Sequence, residues 1–86
     1  MIGKFAVSKA GHDKDKLYVI VGVDERYVYL ADGRYKTAAA PKKKAIKHIQ
    51  IINATVGEEL LQKIVNKSLH IDDAIKYAIK QSLYFK

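Results

Sequence analysis

The chain has 86 residues, 49% of them hydrophobic, and a formal net charge of +7. That length supports one small domain with a modest core, and that apolar content excludes disorder throughout. There is no cysteine, which excludes a disulfide framework and a cysteine-ligated zinc site.

The first half reads as strands. "IGKFAVS" (residues 2–8) mixes apolar and polar positions and leads into a polar loop, "AGHDKDK" (10–16). "LYVIVGV" (17–23) is nearly all β-branched or aromatic, the composition of a central strand. Asp24 and Glu25 form a charged turn. In "RYVYLA" (26–31), Val28 and Leu30 fall on one face and Tyr27, Tyr29 and Ala31 on the other. Asp32-Gly33 is a hairpin signal, because both residues tolerate positive φ. "RYK" (34–36) is then expected to return as a short strand, and "TAAAP" (37–41) to be a loop stiffened by Pro41. The β-branched residues Ile46, Ile49, Ile51 and Ile52 predict a single last strand over residues 44–52.

Beyond residue 54 the apolar period changes. "TVGE" (55–58) matches a capping box, with Thr55 as the cap and Glu58 reaching back. Leu60, Leu61, Ile64, Val65 and Leu69 then recur at helical spacing, and "NKS" (66–68) is the expected stop. A second helix is predicted from Asp72-Asp73, whose carboxylates suit the positive end of a helix dipole. Its apolar stripe is Ile71, Ala74, Ile75, Ala78, Ile79 and Leu83, with Lys76 and Lys80 off it. Strands followed by helices imply a mostly β protein with an α appendage: a small β-barrel over residues 1–53 and a helical extension over 54–86. The helical stripes need a cover, either the barrel or a partner.

The charge is unevenly placed. Residues 1–50 hold eleven Lys/Arg and five Asp/Glu, against five and four in residues 51–86. Between Asp32 and Glu58 there is no acid, while Arg34, Lys36, Lys42, Lys43, Lys44 and Lys47 are all positive. Such a bias is the electrostatic footprint of a polyanion binder. The competing reading is a lysine-rich solvated surface. Lys9, His12, Lys14 and Lys16 add a basic loop. Tyr35, between Arg34 and Lys36, is the best candidate for stacking on a base; Tyr29 reads as barrel packing.

No catalytic constellation is present. The adjacent acid pairs read as a turn and as helix starts, the histidines His12, His48 and His70 are scattered, and no serine sits in a nucleophile elbow. Metal binding by His12, Asp13 and Asp15 is outweighed by the reading of a solvated loop. The expectation is a protein that is not an enzyme and takes no cofactor. No apolar run approaches the roughly 18 residues needed to span a membrane, and the first residues lack the apolar core of a secretory signal. With no cysteine, the expected compartment is the cytoplasm.

Three blocks, "SKAGHDK" (8–14), "YVYLADG" (27–33) and "PKKKAIKHIQ" (41–50), resemble the small bacterial KOW-domain RNA-binding proteins, which are similar to the L14e-type ribosomal proteins. The resemblance covers residues 2–53. It implies an SH3-like β-barrel that binds RNA, often ribosomal RNA, without enzymatic activity. It places RNA contacts on Lys9, His12, Lys14 and Lys16 in the basic loop and on Lys42, Lys43, Lys44, Lys47 and His48 in a basic strand. The chain departs from the family at Asp15, where glycine is usual, and at residues 37–40, which are usually more charged.

The reading that follows is an RNA-binding, ribosome-associated KOW-type domain. On it, the lysines of 42–47 form the polar side of a barrel element anchored by Ile46 and Ile49, and face RNA phosphates. The alternative is a protein-interaction module that docks a partner or dimerises through its helices. A third reading is a binder of duplex DNA.

Overall fold

The computed structural model describes residues 1–82, so Leu83 of the second apolar stripe lies outside the described residues. Strands β1 (Lys4–Ser8), β2 (Leu17–Val23), β3 (Tyr27–Ala31), β4 (Lys42–Ala45) and β5 (Ile49–Thr55) form one antiparallel sheet in the order β4-β3-β2-β1-β5. A 3₁₀ turn, Ile46–His48, joins β4 to β5, and helices α1 (Glu58–Val65) and α2 (Asp72–Gln81) follow. Neither described helix is long and apolar enough to cross a membrane.

Alternation along the strands sends side chains to both faces of the sheet, and both are covered. On one face Phe5, Val19, Ala31 and Ile52 pack with Val56, Leu60, Ile64, Ile71, Ile75 and Ile79. The apolar stripes of both helices are therefore buried against the sheet, and one core crosses residue 53. Val65 and Leu69, read as part of the first stripe, are instead exposed. On the other face Ala6, Tyr18, Ile20, Val28 and Leu30 form a second cluster, covered by Ile46, Ile49 and Ile51. The sheet is open, because its edge strands β4 and β5 do not pair with each other.

Three local expectations are corrected. The single strand over 44–52 is two strands broken at Ile46–His48. The break is fixed by distant partners: Ile46 N–H donates to the Arg26 carbonyl and Lys9 N–H to the His48 carbonyl. Residues 34–36 do not return as a strand. The Asp32 carboxylate accepts the N–H groups of Arg34, Tyr35 and Lys36, each at 2.9 Å, which withdraws those donors from any ladder. Strand β3 pairs with the lysine run instead, Val28 opposite Lys44 and Leu30 opposite Lys42. Thr55 is not a helix cap: it ends β5 opposite Lys4, and the position before α1 is Gly57, with no side-chain cap.

Candidate nucleic-acid interface

The polar loop between β1 and β2 is organised around one carboxylate. Asp13 is buried, not solvated, which corrects the reading of that loop. Strand alternation puts Ser8, Tyr18, Lys42 and Lys44 on the sheet face that Asp13 approaches. Lys44 Nζ lies 2.8 Å and Lys42 Nζ 3.1 Å from its oxygens. Ser8 Oγ is 2.9 Å away and the Tyr18 hydroxyl 3.3 Å. Lys44 also donates to the Ala10 carbonyl. Ser8 Oγ is within reach of that carbonyl as well, and its single proton serves one acceptor at a time.

Burial by itself raises the Asp13 pKa. Hydrogen bonds from Lys44, Ser8 and Lys42 outweigh it and hold the carboxyl well below the usual carboxylate range. Burial, then the negative charge of Asp13, pushes the Tyr18 phenol up to about 12. The carboxylate stays ionised, the phenol stays protonated, and the loop is pinned to β4.

This divides the lysine run. The Lys44 side chain is only 11% exposed and that of Lys42 31%, and both turn toward Asp13. Lys43 points the other way, with Nζ 4.4 Å from the Tyr27 ring centroid. Lys43, Lys47 and His48 are exposed, as are Lys9, His12, Lys14, Lys16, Arg34, Tyr35 and Lys36. Among the described residues, Lys9, Lys14, Lys16, Arg34, Lys36, Lys43 and Lys47 form no ion pair; the pairs on the helices are Lys63 with Glu59 and Lys76 with Asp73.

Two basic segments converge. Arg34 lies 5.1 Å and Lys16 5.8 Å from the centroid of the Tyr35 ring, although 18 positions separate them in the chain. The loop bearing Tyr35 rests on α2. Gly33 has φ +78°, and a side chain there would strike the α2 backbone, with its Cβ 2.8 Å from the Lys76 nitrogen. Ala38 N–H donates to Asp72 Oδ1 at 2.8 Å. In the other loop Asp15 has φ +71°, a left-handed conformation that glycine adopts without strain and Asp tolerates.

Sequence reasoning missed the role of Asp13. The one local signal was the period of two in Lys42-Lys43-Lys44, which sends the outer lysines to one face once the segment is a strand. No group of three or more His, Asp or Glu among the described residues is arranged to hold a metal ion. In comparisons with known proteins, no family model and no curated protein matches the chain.

Proposed function

We propose that the protein binds RNA through the surface where Lys9, His12, Lys14, Lys16, the Tyr35 loop, Lys43 and Lys47 are exposed, and that it acts by binding alone. The observation that carries this reading is the convergence of Lys16 and Arg34 on Tyr35, amid exposed cations that form no ion pair. Cations left free of acids replace counterions at phosphates, and an exposed ring beside them offers a π-face to a base. The KOW-like blocks favour an SH3-like barrel.

The test is titration of RNA at several salt concentrations. Single-stranded RNA loses about 0.7 in the slope of log K against log salt per phosphate contact removed. Lys43→Ala and Lys47→Ala together are expected to flatten the slope by roughly 1.4 and to weaken all sequences alike, since phosphates carry no sequence information. Lys42→Ala, whose charge is directed at Asp13, is expected to leave the slope unchanged. An unchanged slope for the Lys43/Lys47 variant would remove that edge from the interface.

A further inference from the structure

Resting on the RNA reading above, we propose that Tyr35 is the platform for one unpaired base, with Arg34 and Lys16 reaching the phosphates on either side of it. The ligand class is thereby narrowed to RNA that offers an unstacked nucleotide: a loop, a bulge or a single strand.

The Tyr35 loop is hydrogen-bonded into place in the free protein. Tyr35 is 71% exposed, yet its backbone is held by three bonds from residues 34–36 to the Asp32 carboxylate. Asp32 N–H and Gly33 N–H close the same loop by donating to the Lys36 carbonyl at 2.9 and 3.1 Å. The loop is then wedged against α2 by Gly33 and tied to it by Ala38 and Asp72. Binding to a platform already ordered avoids the entropy of ordering it. The nearest acid in the loop, Asp32, turns one oxygen inward onto backbone N–H groups, which moderates its repulsion of phosphate.

The chemistry of the ring sets the ligand. Its face attracts cations, and both Arg34 and Lys16 sit within about 6 Å of the centroid, the range of cation–π attraction. A base stacked on the ring takes a face that a cation now covers, and its phosphates lie to either side, so the displaced cation moves from the ring to a phosphate. A paired A-form helix does not satisfy this site. Its bases are stacked on one another, and its major groove is too narrow and deep for a side chain to enter. Such a duplex engages the lysines but leaves Tyr35 idle. Asp72 is then a positioning residue. It touches no nucleotide and holds the loop that presents the ring.

The experiment compares a labelled uridine dodecamer with a fully paired RNA duplex of the same length, by fluorescence anisotropy at several salt concentrations. Tyr35→Ala is expected to weaken the dodecamer about 5- to 150-fold, the range for one base–aromatic stack. The salt slope and the duplex affinity should stay unchanged, and Tyr35→Phe should bind as wild type. Asp72→Ala is expected to weaken the dodecamer selectively and by less, with Asp72→Asn restoring it because its amide oxygen still accepts from Ala38. Equal loss for both RNAs, or no loss, in Tyr35→Ala overturns the platform and leaves the RNA reading standing. Failure of the wild-type protein to bind either RNA at low salt overturns both.

Discussion

Removing the Asp13 carboxylate should unfold a large part of the stability of this small domain. In Asp13→Ala, Lys44 keeps its charge on a side chain only 11% exposed, with the Ala10 carbonyl as its one remaining partner. Breaking a buried ion pair from one side costs about 3–5 kcal/mol. Lys42, nearly a third exposed, reaches water readily and adds less than about 1 kcal/mol. The Tyr18 hydroxyl loses its acceptor, worth about 1 kcal/mol. Against a total of roughly 5–15 kcal/mol for a domain, even the low end of these terms, a loss of about 4 kcal/mol, is decisive. Urea denaturation followed by circular dichroism reads it directly. With a slope of about 1–2 kcal/mol per molar for a chain this short, the midpoint should fall by roughly 2–4 M. Asp13→Asn keeps an acceptor for Ser8 and Tyr18 but not the charge, so it separates hydrogen bonding from ion pairing. The pH dependence has a defined sign. Burial opposes the ionised carboxylate, but the Lys44, Ser8 and Lys42 hydrogen bonds lower its folded pKa below the unfolded value of about 3.9. Its stabilisation is thus present above that pH and lost as pH falls below about 4. Wild-type stability should decline there more steeply than that of Asp13→Asn. A midpoint shift equivalent to less than about 1 kcal/mol for Asp13→Ala would refute the claim that this carboxylate holds the loop to β4.

Three further outcomes are expected. Helix α1 ends with Ser68 N–H donating to the Lys63 carbonyl and Lys67 N–H to that of Ile64, around Lys67 at φ +54°. This is the arrangement that favours glycine, so Lys67→Gly should raise the melting temperature by an amount equivalent to about 1 kcal/mol; Asp15→Gly should gain less, since Asp tolerates that region better, and a loss in Lys67→Gly would contradict the cap. For Tyr18, burial and then the charge of Asp13 raise the folded pKa from about 10 to about 12. Ionising the phenol is thus opposed in the folded state, so stability holds below pH 10 and falls as pH rises toward 12, and phenolate absorbance should show a late-titrating phase that is absent in Tyr18→Phe. Truncation after Asn53 exposes Phe5, Val19, Ala31 and Ile52 and should abolish cooperative melting; a truncated sheet that melts like the full chain would mean the helices contribute nothing to it.

What depends on neighbours in the chain could be read from the residues alone. The β-branched run 17–23 became the middle strand, the alternation of Val28 and Leu30 became a buried face, and Ile75 and Ile79, with Ile71 just before the helix, became the buried stripe of α2. Each is a periodicity, and periodicity is imposed by local backbone geometry. Which polar groups meet depends on the folded arrangement. Asp13 and Lys44 are 31 residues apart, and nothing near either marks them as partners. The Asp-Gly signal was a turn in both readings, but whether the N–H groups of residues 34–36 face a strand or the Asp32 carboxylate was decided by β4 taking the place beside β3. Likewise, Thr55 has a cap's side chain and a capping-box spacing, yet pairing with Lys4 in β1 took its backbone first. The lysine run gives the sharpest contrast. In sequence its three charges are equivalent, whereas in the fold a period of two and one buried carboxylate turn Lys42 and Lys44 inward and leave Lys43 outside. Charge is legible along a chain, but its compensation is a contact, and contacts between distant residues exist only once the chain has folded.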